Sequence, residues 1–176
     1  MQHKNIEMPI GFDELWRAAG VSKSLAQNWT NGRPLRLVPS LSQGEGKGSR
    51  HIYAVADAYL LAFLHLLKRH GLSDDSLRKV ANVFNIWGKG KPSNAIHFFS
   101  EKNHWLEVSL TELTVMIGPI PYDPAANTLL SAHPLQLNDV HDLIGMQVAV
   151  NLTKLRAQVD QRLQDQLNKS NHAGRN

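Results

Sequence analysis

From Ser40 to Tyr53 the chain reads Ser40-Leu41-Ser42-Gln43-Gly44-Glu45-Gly46-Lys47-Gly48-Ser49-Arg50-His51-Ile52-Tyr53. Alternating glycines at 44, 46 and 48 lose more backbone freedom on ordering than any other residue and have no side chain to bury. The segment therefore suits neither a helix nor a core strand. It reads as a mobile hairpin tip between two short extended arms. Whatever precedes it must fold as short elements, and whatever follows must start afresh near Tyr53.

What precedes it has the period of helices. Phe12, Leu15, Trp16 and Ala19 share one helical face, and Gly20 ends that pattern. Ser22 is placed to cap a second short helix whose inner side is Leu25, Ala26 and Trp29, and Asn31-Gly32-Arg33-Pro34 stops it. Two short helices joined through a glycine have the proportions of a helix-turn-helix. After the glycine-rich segment a long helix is expected from Val55 to Arg69, with Gly71 at its C′ position. Ser73 then caps a further helix with Asp74 and Asp75 in its first turn, where acids suit the helix dipole, and Leu77, Val80, Ala81 and Phe84 inside.

Gly88-Lys89-Gly90-Lys91-Pro92-Ser93 reads as a linker, and beyond it the period changes to two. Ile96-His97-Phe98-Phe99 and Trp105-Leu106-Glu107-Val108-Ser109-Leu110 are expected to pair as a hairpin around Glu101-Lys102-Asn103. A third strand is expected over 113–117, a proline-marked loop at Pro119, Pro121 and Pro124, and a short helix over 138–144. Val148, Val150 and Leu152 suit another strand. Leu155, Val159, Leu163 and Leu167 form the stripe of a last helix over 153–167, followed by a polar, disordered tail.

Charge divides along the same line. Up to Lys91 there are 13 lysines and arginines against 7 acids, a net of +6; from Pro92 onward there are 6 against 8, a net of −2. A basic half followed by a slightly acidic one is the footprint of a polyanion-binding module joined to something else, or of a solvated basic surface. No run of eighteen apolar residues is present, and the first seven residues lack the apolar centre of a secretory signal. With no cysteine there are no disulfides, thiolate metal sites or Cys nucleophile. A cytoplasmic, nucleoid-associated protein fits these features.

The order helix, turn, helix, glycine-rich wing, long helix, short helix resembles the DNA-binding domain of MerR-type transcriptional regulators over residues 12–84. The residues that carry the likeness are Phe12-Asp13-Glu14-Leu15, Ala19-Gly20-Val21-Ser22, Trp29, Arg50 with Tyr53, Asp57 with Leu60, and Arg69 with Gly71-Leu72-Ser73. Gln27-Asn28 stand where the family usually has Arg-Tyr, and the wing is longer and richer in glycine. The resemblance implies a winged helix-turn-helix that binds double-stranded DNA. The second half does not resemble the family's long dimerisation helix, and the chain lacks the cysteines of its metal-sensing members.

On this reading the second helix enters the major groove with Ser22, Lys23, Ser24, Gln27 and Asn28. Gln and Asn can pair in bidentate fashion with adenine, while Lys and Ser reach phosphates or base edges. Lys47 and Arg50 on the wing, Arg33 and Arg36 after the second helix, and the Tyr53 hydroxyl are the candidate backbone contacts. Arg17, Lys68 and Arg69 are lesser ones. The plainer readings are a solvated helix face, a disordered loop, and surface charge; Trp16 and Trp29 read as core rather than as base-stacking platforms.

Other chemistry finds little support. None of the nine histidines sits in a zinc-binding frame, and no metal or cofactor is expected. Ser109, His141 and Asp139 make a paper triad without a nucleophile elbow. No phosphate-binding or dinucleotide fingerprint is present.

The expected fold class is α+β: a MerR-like winged helix-turn-helix over 1–88, a small α+β domain over 94–168 with a β-hairpin and C-terminal helix, and a disordered tail over 169–176. The expected function is sequence-specific DNA binding in transcription regulation, without enzymatic activity. A homodimer on a two-fold site is expected, because one module buries little surface. Its obvious surface is the C-terminal strands and the Leu155–Leu167 stripe, which suits packing on its own hairpin equally well. The rival readings are an excisionase-like DNA-bending factor of phage or mobile elements, an enzyme with its site in the second half, and a protein-interaction adaptor that has kept the fold.

Overall fold

The computed structural model describes residues 6–41, 51–86, 94–100, 105–109, 115–118, 130–135 and 145–173. The class is α+β. The elements run β1 (Pro9–Ile10), α1 (Phe12–Ala19), α2 (Lys23–Thr30), β2 (Tyr53–Ala54), α3 (Val55–Arg69), α4 (Asp74–Ile86), α5 (Asn94–Phe98), β3 (Trp105–Ser109), β4 (Val115–Gly118), β5 (Leu130–Leu135), β6 (Gly145–Asn151) and α6 (Leu152–Ala173).

The helix ends follow local chemistry. Gly20 takes the left-handed conformation at φ 70° that closes α1, which a Cβ disfavours. Ser22 Oγ accepts from Leu25 N at 3.2 Å and so satisfies one of the free amides at the start of α2. Gly71, at φ 93°, follows α3. Ser73 Oγ accepts from Ser76 N at 3.2 Å ahead of α4.

α3 is the centre of the helical body. From Val55 to Leu64 it is buried on every side, the signature of a helix surrounded by others. α1, α4, α5 and α6 all pack on it. Phe63, Phe84, Phe98 and Phe99 form an aromatic cluster, with Phe84 and Phe98 centroids 4.7 Å apart and Phe84 stacked at 14° on Phe99.

That cluster corrects the strand expected at 96–99. Asn94–Phe98 is a single helical turn instead. Ala95, Phe98 and Phe99, spaced i, i+3 and i+4, are all buried, and a helix puts such residues on one side whereas a strand would split them between faces. The hairpin partner of β3 is accordingly β4.

The larger sheet is antiparallel in the order β4-β3-β6-β5. Its register aligns Leu106 with Ile117 and Val150, Val108 with Val115 and Val148, and Leu130 with Val150. Val150, paired with both Leu106 and Leu130, is fully buried. β5 is not among the strands expected from the sequence. It carries Pro134, which a sheet admits only at an edge, and β5 is an edge strand.

β6 passes into α6 without a loop, and Asn151 Oδ1 accepts from Lys154 N at 3.0 Å to cap the new helix. α6 then leaves the sheet and packs along α1 and α3. The helix expected in the second domain thus shares the core of the first: Leu152, Leu155, Val159 and Leu163 are buried in the same cluster as Leu15 and Phe63. Tyr59 Oη donates to Asp160 Oδ1 at 2.7 Å, and Arg156 Nη1 donates to Phe99 O at 3.2 Å. The tail expected to be disordered from 169 is helical as far as Ala173. The linker over 88–93, the proline-marked loop and the short helix over 138–144 lie outside the described residues.

Candidate nucleic-acid interface

α1 and α2 are joined by a tight turn in which Gly20 N donates to Arg17 O and Val21 N to Trp16 O, each at 3.1 Å. Arg162 of α6 closes the turn from outside, its Nη1 3.3 Å from Ala18 O and 3.4 Å from Ala19 O. A cation there meets the partly negative carbonyl end of α1. Beyond α2, Leu37 N donates to Trp29 O at 2.9 Å and Arg78 Nε to Pro34 O at 2.8 Å, so the chain after the helix is fixed from two sides.

Anchored this way, α2 buries Ala26 and Trp29 and exposes Ser22, Lys23, Ser24, Gln27 and Asn28. Arg33 and Arg36 are exposed just after it. Seven of the sequence-predicted contact residues therefore lie together at the surface of one short segment. Two of them already serve the fold: Ser22 as the cap of α2, and Lys23, whose Nζ is 3.2 Å from Asp13 Oδ1 across the turn. Asp13 also accepts from Trp16 Nε1 at 3.0 Å, and these two donors hold its carboxyl below the usual range.

Tyr53 is corrected. Only 3% of it is exposed, its ring lies 6.4 Å from that of Phe12, and burial pushes its phenol upward. It backs the surface because Tyr53 pairs with Ile10 in the two-stranded sheet, which turns its ring inward. That pairing also shows where the extended arm goes: β2 joins β1 from the N-terminus. Lys47 and Arg50 lie outside the described residues. Of the lesser candidates, Arg17 sits over the Trp16 ring at 5.1 Å and Lys68 pairs with Asp74.

Between the start of α1 and the exposed side of α2 runs an open groove of about 780 Å³, walled by Asp13 and Glu14 on one side and Lys23, Gln27 and Asn31 on the other. The sequence presents Asn31 only as a helix stop. The signal that could have found it is its position one turn beyond Gln27, which keeps it on the same helical face.

Asp57 matters to the same region. It is buried, and accepts from Ser40 N at 2.9 Å, from the Ser40 hydroxyl, and from Ala54 N at 2.8 Å. One carboxylate thus ties together the two ends of the glycine-rich segment. Burial outweighs those donors and raises its pKa to about 6.

Among the described residues no group of His, Asp and Glu is placed to hold a metal ion, and no helix is long and apolar enough to cross a membrane. No protein-family model matches the chain, and no curated protein matches it.

Proposed function

We propose that the protein is a sequence-specific double-stranded DNA-binding transcriptional regulator whose residues 12–84 act as a MerR-like winged helix-turn-helix. The observation that carries this reading is the two-sided character of α2. Ala26 and Trp29 lock it to the body, while Ser24, Gln27 and Asn28 are exposed with Arg33 and Arg36 close behind. Its eight residues span about 12 Å, comparable to the width of the major groove. Arg33 and Arg36 then lie where the flanking phosphates pass, and the glycine-rich segment with Lys47 and Arg50 is the wing that follows the backbone beside them.

The basic first half supports the electrostatic part of the reading. A dimer on a two-fold site needs a surface other than the Leu155, Val159 and Leu163 stripe, because those residues are buried within one chain. The test is a selection of genomic fragments by the purified full chain, beside the Lys47→Ala, Arg50→Ala double variant. The expected result is an enriched site that the variant binds more weakly, with a salt slope lower by about 0.9 for each phosphate the variant leaves unneutralised. Absence of DNA binding at low salt overturns the proposal.

A further inference from the structure

We infer that the DNA recognised by α2 is an A·T-centred half-site, read by an uncharged face of Ser24, Gln27, Asn28 and Asn31, with Asp13 keeping the helix's one lysine out of the reading. This rests on the DNA-binding reading above and adds the class of sequence.

A helix turns through about 100° per residue. The buried direction of α2 is set by Ala26 and Trp29. Opposite it stand Ser24 and Asn31, with Gln27 and Asn28 about 50° to either side and Lys23 about 90° round, on the flank beside α1; all five are exposed. Among the described residues, no hydrogen bond within the chain occupies the Gln27, Asn28 or Asn31 side-chain amides, which point outward with their full donor and acceptor capacity.

Base chemistry then decides the class. Guanine presents two acceptors in the major groove and is read best by arginine or lysine, whereas adenine presents one acceptor beside one donor and is read by the amide of Gln or Asn. That outward face holds three amides and a hydroxyl and no cation. The cation that α2 does carry, Lys23, is turned to Asp13 Oδ1 at 3.2 Å, and Trp16 Nε1 holds that carboxylate from the other side at 3.0 Å. Asp13 also sets a negative charge on the groove wall facing Gln27, which disfavours non-specific approach of phosphate. Asp13 is therefore a positioning residue for specificity, on a helix that does not itself read bases.

The experiment is a random-library selection by the full-length protein, run for wild type, Gln27→Arg and Asp13→Asn, with affinity for an unrelated duplex measured across salt. The wild type is expected to enrich sites with adenine at the central positions of each half. Gln27→Arg is expected to move one of those positions to guanine, with roughly a tenfold change in preference or more. Asp13→Asn is expected to bind the unrelated duplex severalfold more tightly, with a steeper salt slope, while its preference for adenine falls. A wild-type site centred on guanine overturns the inference and leaves DNA binding intact. So does a Gln27→Arg motif identical to that of the wild type, or a duplex affinity unchanged in Asp13→Asn. Binding without any enriched motif removes sequence reading altogether, and no binding in any arm removes the functional reading on which the inference stands.

Discussion

The helical body and the four-stranded sheet are held by different kinds of information. In the body every helix boundary near the candidate interface is written beside itself: Ser22 caps α2, Gly20 closes α1, Ser73 opens α4 and Gly71 follows α3. In the sheet, Trp105 pairs with both Gly118 and Asn151, and no residue near Trp105 names either partner. α6 links the two. It begins at the end of β6 and finishes against α1, where Arg162 meets the carbonyls of Ala18 and Ala19 across 144 and 143 residues of sequence. The α1–α2 pair therefore has local ends and a distant brace, and its presentation depends on the far end of the chain.

The strongest test of that brace is Leu155→Ala. Leu155 is 2% exposed in the core shared with α1 and α3, and such truncations destabilise by about 2–5 kcal/mol. Urea unfolding followed by Trp fluorescence should show the α1–α2 region losing stability with α6. Unchanged unfolding of that region would return α6 to the sheet and dissolve the distinction.

Next in size is Asp57, which joins Ser40 to Ala54. With its pKa raised from 3.8 to about 6, the folded state keeps a proton there that the unfolded chain has released. The associated stability is complete below the unfolded value and is lost as pH rises through about 6, by up to about 3 kcal/mol. Chemical denaturation between pH 4 and 7 should show this decline, and Asp57→Asn should flatten it. A wild-type stability that instead rises over that interval would mean that the three donors, not burial, dominate.

Gly20→Ala is expected to cost about 2 kcal/mol, part from the left-handed backbone and part from Arg162, whose Cζ would lie 2.7 Å from the new Cβ. In an Arg162→Ala background the cost should fall to about 1 kcal/mol, the backbone part alone. An unchanged cost in that background would show that the guanidinium swings aside freely and does not brace the turn.

These same residues mark what is legible in the sequence. The ends of α1, α2 and α3 are readable because capping chemistry lies within a few residues of each terminus. The exposed stripe of α2 is readable because period and polarity agree. α5 misleads because Ile96-His97-Phe98-Phe99 suits a strand until Phe84 and Phe63 are known to lie beside it. β5 is hidden because Pro134 argues against a strand unless its edge position is known. At the interface, Asn31 and Asp13 escape notice for a related reason: one looks like a stop and the other like a cap-side acid, and only the packing of α1 on α2 turns both toward the same groove. Asp57 stands out in the sequence for its place in a pattern, but its hydrogen bonds to Ser40, 17 residues away, are a tertiary contact that no local pattern announces.

Tyr59→Phe gives the smallest effect and the finest resolution of how α6 is held. Tyr59 is 1% exposed on α3 and donates from Oη to Asp160 Oδ1 of α6 at 2.7 Å. Phenylalanine keeps the ring and its packing against Phe99, 6.0 Å away, and removes the donor alone. Asp160 is only half-buried, so water can replace part of the missing bond, and the expected destabilisation is about 1 kcal/mol. Asp160→Asn retains an acceptor oxygen and should cost less. The double variant should cost no more than Tyr59→Phe alone, because the two changes remove one interaction. If the single effects simply add, the hydroxyl and the carboxylate contribute independently, and α6 is held by its apolar stripe on α3 and by Arg162 on α1 without this bond.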